Sequence, residues 1–210
     1  MKKSMVNARK FLLGAANHEH AEAMYYLGFM QMHGLGAAHD CGSAYMWFCR
    51  AAELNCEKAQ CSLGLFYAHG ICCDLDIELA RYWYERASLR GHAGAQFALA
   101  CVYVSLGQKK NAAVWTSIAA NNGVLVAQAL LAKIYMNGLG VSRDLSTAMM
   151  WCLIVQANVD VDIDSLEIVL KCQSSILRST SDDVIDLARE RASEWFASRH
   201  DFASQSRLPS

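Results

Sequence analysis

Apolar and small residues recur along this chain at helical spacing. In Ala59-x-x-x-Leu63-Gly64-x-Phe66-Tyr67 they fall at i, i+4, i+7 and i+8, which makes one face of an α-helix. Gly70 and a turn interrupt the pattern. A second helical run then carries Ala80, Trp83 and Ala87 at i, i+3 and i+7, and Gly91 follows as its stop. Asp40, Asp76 and Asp144 each stand before such a second run, where a carboxylate can accept from the free N–H groups of a helix start. The spacing predicts two helices joined by a turn.

This unit repeats. Trp47, Trp83, Trp115 and Trp151 are separated by two steps of 36 residues and one of 32. Ala23, Ala59, Ala95 and Ala127 move in step with them, as do Leu27, Leu63, Leu99 and Leu131, and Ala44, Ala80, Ala112 and Ala148. Gly28, Gly64, Ala100 and Ala132 supply a small residue at one offset, which lets a neighbouring helix approach closely. The tryptophans are expected to fill the space between layers. One pair of helices cannot hide its apolar face alone, so neighbouring pairs must stack.

The register divides the chain into a capping helix at 4–20, four repeats at 21–56, 57–92, 93–124 and 125–160, and a closing helix pair at 161–200. Together they make one solenoid over residues 1–204, with 205–210 as a flexible tail. Asp164–Leu177 and Asp182–Arg199 read as the closing helices, the second preceded by Ser181 as a candidate cap.

The fourth unit carries Ala127, Leu131, Tyr135, Gly138, Gly140, Val141, Asp144, Ala148 and Trp151, and this pattern resembles the Sel-one-like repeat, a relative of the tetratricopeptide repeat. The second unit is similar but has Cys72 at the second turn glycine and Cys73 at the valine. The first has Gln31 where the pattern has tyrosine. The third is four residues short in its turn, Leu106 to Lys110. The resemblance covers roughly residues 5–197. It implies an all-α fold, a right-handed α/α superhelical solenoid of helix–turn–helix repeats. It also implies a non-catalytic protein–protein interaction scaffold or adaptor, with an immunity protein or chaperone for a secreted toxin or effector as one bacterial form. A secreted, Cys-rich branch of the family is credited with disulfide staples in each repeat and weak β-lactam-binding or hydrolytic activity. That is the alternative reading for this chain.

Composition narrows the chemistry. The formal net charge is -1, so no basic excess exists to neutralise phosphates, and nucleic acid is not an expected partner. No apolar run approaches the ~20 residues of a membrane span. Lys2 and Lys3 precede an apolar run at Phe11–Ala16 that is short for a secretory signal, and a cytoplasmic location is expected. The nine cysteines do not follow the repeat period, which speaks for reduced thiols used as small apolar residues, with Cys56 and Cys61 the pair to watch. Cys56, Cys61, Cys72, Cys73 and His69 are possible zinc ligands, but their spacing matches no finger, and no metal or cofactor is expected. No nucleophile elbow, Ser-x-x-Lys or His-Glu-x-x-His motif occurs, so no catalytic residues are assigned.

Repeat proteins of this kind bind along the concave face lined by their first helices. At offsets outside the packing pattern the units carry Phe29, Leu65, Cys101 and Lys133; Met32, Ala68, Val104 and Met136; and Tyr25, Cys61, Phe97 and Ala129. The candidate protein-binding residues are Tyr25, Phe29, Met32, Leu65, Ala68, Phe97, Cys101 and Lys133. The expected occupant is a helix or extended peptide of a partner protein, or a second copy in a homodimer. Tyr25 and Phe97 could equally serve packing between units.

Overall fold

The computed structural model describes residues 2–158 and 160–205. Among them the chain forms eleven α-helices and no strand: α1 Lys2–Asn17, α2 Ala21–Met32, α3 Cys41–Glu53, α4 Glu57–His69, α5 Ile77–Leu89, α6 Ala93–Ser105, α7 Lys109–Asn121, α8 Leu125–Asn137, α9 Leu145–Gln156, α10 Ile163–Leu177 and α11 Asp182–Gln205. They pack as consecutive helix pairs, the all-α repeat architecture that the spacing predicts. The helices gather into two compact units, one ending at Val102 and the other beginning at Tyr103. Beyond Gln205, the tail expected at 205–210 lies outside the described residues.

In the first unit, polar side chains set the helix starts. Asp40 and Asp76 accept hydrogen bonds from the N–H groups of Ser43 and Leu79 at the heads of α3 and α5. His20 and His92 serve α2 and α6 through Nδ1, which accepts from Ala23 and Ala95. Satisfying these otherwise orphaned donors contributes about 1 kcal/mol per helix. Gly70, at φ 63°, ends α4 in the left-handed region.

The core of this unit runs through Met24, Leu27, Ala44, Phe48, Ala51, Ala59, Leu63 and Phe66. Each such apolar side chain contributes roughly 1–3 kcal/mol by leaving water. In the fourth repeat Trp151 is 4% exposed, as the sequence pattern suggests, but in the first two repeats the inter-layer filler is not the tryptophan. Phe48 and Tyr84, one residue later, are 3% exposed, whereas Trp47 and Trp83 are only half-buried. Helical geometry explains the difference. Phe48 lies four residues after Ala44 and so continues the buried stripe through Ala51, and Tyr84 does the same after Ala80. The tryptophans fall on its flank, where Arg50 and Arg86 lie over their rings at 5.1 and 5.6 Å.

Gly28 and Gly64 fit that arrangement. A Cβ on Gly28 would stand 2.7 Å from the Phe48 ring, and one on Gly64 would stand 2.5 Å from the Tyr84 ring. Buried amides add a second tie. Gln60 Nε2 donates to the Ala52 carbonyl at 3.2 Å, and Gln96 Nε2 donates to the Ser88 carbonyl at 3.3 Å. Each holds a first helix to the end of the second helix before it.

The second unit repeats these devices. Gln128 Nε2 donates to the Ala120 carbonyl at 3.0 Å, and Asp144 caps α9 by accepting from the N–H of Thr147. The closing pair packs onto the fourth repeat, α10 against α8 and α9, and α11 against α9. Arg191 of α11 donates to Ser146 Oγ at 2.5 Å and Thr147 Oγ1 at 2.9 Å, and Trp195 meets Trp151 edge-on at 5.8 Å.

Candidate functional site

In the first unit the candidate residues sit on the first helices α2, α4 and α6. The Glu22 carboxylate and the Lys58 ammonium hold α2 beside α4 at 2.7 Å. These two residues occupy the same repeat offset, so the bridge aligns equivalent positions of neighbouring helices. Hydrogen bonding to Lys58 draws the Glu22 carboxyl below its ordinary pKa. The Lys58 ammonium also lies 6.0 Å from the Tyr25 ring centre and 5.5 Å from that of Tyr26.

That alignment places Phe29 and Leu65 at equivalent points on adjacent helices. They are 40% and 45% exposed, and Cys101 on α6, one repeat further, is exposed as well. Packing leaves them out because the buried stripe of α2 runs through Ala23, Met24, Leu27 and Met30, and that of α4 through Ala59, Leu63 and Phe66. The Phe29 ring lies beside that of His33, tilted by 50° with centres 4.3 Å apart.

The other candidates divide between surface and core. Tyr25 is half-buried, with its ring 5.8 Å from Phe48, and burial pushes its phenol pKa up. Met32 also packs against the core, which commits much of its side chain. Ala68 and Phe97 are half-buried. Lys133 is exposed on α8 of the second unit. Sequence reasoning missed Tyr26, which is 42% exposed, meets Tyr25 edge-on at 5.2 Å and lies three residues before Phe29. That i, i+3 spacing was the available signal.

Seven of the nine cysteines are free thiols, as expected, and two are not. Cys56 and Cys61 are not paired with each other. Cys41 and Cys72 are the pair in bonding contact, with Cα atoms 6.2 Å apart. Burial pushes the Cys61 thiol up to about 11 and the Cys152 thiol to about 12, and it raises Cys49, Cys56 and Cys101 as well. Thiols held neutral in this way are poor nucleophiles and poor metal ligands. Among the described residues, no group of three or more His, Cys, Asp or Glu is placed to hold a metal ion, so the five possible zinc ligands are not brought together.

The second unit has apolar surface of its own. Ile163, Leu170 and Leu177 lie seven residues apart along α10 and are 83%, 49% and 51% exposed. Beside the short turn of the third repeat, Val104, Ala112, Ile134 and Leu139 line a small apolar cavity of about 180 Å³. Among the described residues no helix is long and apolar enough to cross a membrane.

Comparison with known proteins bears on this arrangement. The Sel1 repeat family matches at residues 21–56, 57–92 and 125–153. The unmatched stretch between them contains the shortened turn. A crystal structure of a Sel1 repeat protein from Oxalobacter formigenes superposes with a TM-score of 0.68 at 25% identity, covering 83% of this chain and 80% of that one. The structure of c5321, a protective antigen of uropathogenic Escherichia coli with the same repeat fold, gives 0.55 at 21% identity, over 96% of this chain and 51% of that one. The chitin synthase regulator SKT5 of Saccharomyces cerevisiae is 39% identical over 71 residues, which is 32% of this chain and 10% of the regulator. Chitin synthase regulatory factor 3 of Schizosaccharomyces pombe is 28% identical over 142 residues, 63% of this chain and 15% of that protein. A putative sel1-like repeat-containing protein of Acanthamoeba polyphaga mimivirus is 29% identical over 121 residues, 57% of this chain and 22% of that protein. The chain thus spans between a tenth and about a fifth of the length of these curated relatives.

Proposed function

The chain is a Sel1 repeat protein of the tetratricopeptide-related superfamily, and from that premise we propose that it is a non-catalytic scaffold whose first-helix face grips a partner protein. Phe29 and Leu65 carry the reading: apolar, half-exposed and held at equivalent points of adjacent helices, they fall outside the core stripe. The partner presents an amphipathic helix or extended peptide whose apolar side chains cover Phe29 and Leu65. Tyr26 and the Glu22–Lys58 pair form the rim, and Cys101 and Phe97 extend the apolar strip along α6. The protein acts in the cytoplasm.

Two curated relatives are named as a regulator and a regulatory factor of chitin synthase, which agrees with this reading. The finer assignment is an immunity protein or chaperone for a secreted toxin or effector. A toxin gene adjacent to this one, whose product co-purifies with the chain, is its test.

The general proposal is tested by affinity capture from the native host with the wild type and with Phe29→Asp, Leu65→Asp and, as a control on another face, Met46→Asp, which is 61% exposed. An anchor in a desolvated interface is worth about 2 kcal/mol, roughly thirty-fold in Kd. The two face variants lose the partner and Met46→Asp retains it. If all three capture the same proteins, the face is not the binding surface. Light scattering on the same samples reports whether a second copy is the occupant, since a homodimer through this face dissociates in both face variants.

A further inference from the structure

We propose that Cys41 and Cys72 form a reversible thiol–disulfide site that latches the second repeat onto the first. The site is independent of what binds the first-helix face.

The contact is architectural. In the first repeat, Gly36 (φ 72°) lies against α1 so closely that an added Cβ would stand 2.8 Å from the Met5 carbonyl oxygen. In the fourth repeat, Gly140 (φ 78°) lies in the same way against Lys109 at the head of α7. Met5 to Gly36, Cys41 to Cys72 and Lys109 to Gly140 are the same step of 31 residues. The repeat therefore presses its second turn residue onto the start of the second helix before it. In the second repeat that turn residue carries a side chain although its φ is 56°, a conformation that a side chain disfavours and glycine tolerates. The side chain is a thiol, and the residue it is pressed against is also a cysteine. Their Cα separation of 6.2 Å falls within the roughly 4.4–6.8 Å that a disulfide spans. Period alone puts a glycine at Cys72, so the replacement of both contacting residues by cysteine is the observation that carries the inference.

The oxidant is a small-molecule disulfide such as oxidised glutathione. The thiolate of Cys72, the more exposed of the two, attacks one sulfur of that disulfide and expels one thiolate. Cys41 then attacks the Cys72 sulfur of the mixed disulfide and expels the second. The two protons lost by the protein thiols pass to the two expelled thiolates, and two electrons pass to the oxidant, which leaves as two thiols. An excess of reduced thiol runs the sequence backwards. The closed loop ties the turn after α4 to the head of α3, and that turn directly follows Ala68 and His69 on the first-helix face.

The experiment equilibrates the full chain in glutathione buffers from reducing to oxidising, followed by alkylation, peptide mass mapping and thermal melting. The expected result is a Cys41–Cys72 linked peptide, two hydrogens lighter than its thiols, that forms and is lost reversibly across the series. Closing a loop of this length raises Tm by about 5–10 °C in the oxidised sample. Cys72→Gly restores the residue of the first and fourth repeats, so the variant folds, and its oxidised and reduced samples melt together. Cys41→Ser does the same. The proposal is overturned if both cysteines stay alkylatable at the oxidising end or pair with other cysteines. It is also overturned if the bond persists at the reducing end, or if the Tm difference survives in Cys72→Gly.

Discussion

Replacing Gly64 by alanine sets two known effects against each other. Gly64 lies inside α4, where alanine is favoured over glycine by about 1 kcal/mol. The new methyl, however, would stand 2.5, 2.6 and 2.9 Å from Cδ1, Cε1 and Cγ of the Tyr84 ring, far inside ordinary contact. That ring is 3% exposed and lies among close-packed neighbours, so it has nowhere to swing. Overpacking of this kind costs typically about 1–3 kcal/mol, and the net expectation is a loss of up to about 2 kcal/mol. Gly14→Ala is the matched control, because nothing lies within 4 Å of a Cβ at that helical position, and it is expected to stabilise by up to about 1 kcal/mol. Urea unfolding followed by circular dichroism reads both midpoints. The interaction can be isolated with Tyr84→Thr, since Thr116 occupies the equivalent place in the third repeat, where Ala100 replaces the glycine. In that background Gly64→Ala should turn stabilising, a coupling of about 1–3 kcal/mol in a double-mutant cycle. The close-approach argument fails if Gly64→Ala stabilises the wild type as much as Gly14→Ala does. It fails equally if the sign of Gly64→Ala is unchanged in the Tyr84→Thr background.

Gln60→Met substitutes the residue that the first repeat carries at that offset, Met24, and leaves the Ala52 carbonyl without its side-chain donor. The Ala52 carbonyl keeps the Asn55 N–H as a donor, so the expected loss is that of one hydrogen bond, about 1 kcal/mol by urea unfolding, and an unchanged midpoint would show that the amide tie is idle. Asp144 supplies a pH test. Burial works against its ionised form, but hydrogen bonds from the N–H and hydroxyl of Thr147 and from Ser146, with the nearby Arg191, outweigh it and hold its pKa at about 2. A carboxyl depressed in the folded state stabilises above the unfolded value of about 4 and loses that contribution as pH falls toward 2. Asp144→Asn keeps a capping oxygen without the charge, so it should be less stable than the wild type at neutral pH and approach it near pH 2; a constant gap across that range would refute the assignment.

The fold is readable because its signal is redundant. Helix period, repeat period and capping aspartates all point to the same pairs, and a local ambiguity at Gln31 or in the short third turn is outvoted by the neighbouring units. What escapes lies where the repeat logic concerns contacts between units rather than residues within one. Trp47 and Trp83 stand out in the sequence, but the residue that fills the layer is the one beside each, and only the rotation of α3 and α5 about their axes separates the two. Gln60, Gln96 and Gln128 recur at one offset in three of the four repeats, yet a polar residue at core spacing reads as surface until the carbonyl that accepts from its amide comes into view. The cysteines escape for the same reason. No cysteine recurs at its own offset from one repeat to the next. The recurring quantity is the 31-residue step between two contacting places, which is visible only when two other repeats put glycine and backbone there. The candidate face sits between these cases. Subtracting the packing pattern finds Phe29, Leu65 and Cys101, and it locates free surface well. It does not by itself separate long side chains such as Tyr25 and Met32, which share the free face but also pack against the core.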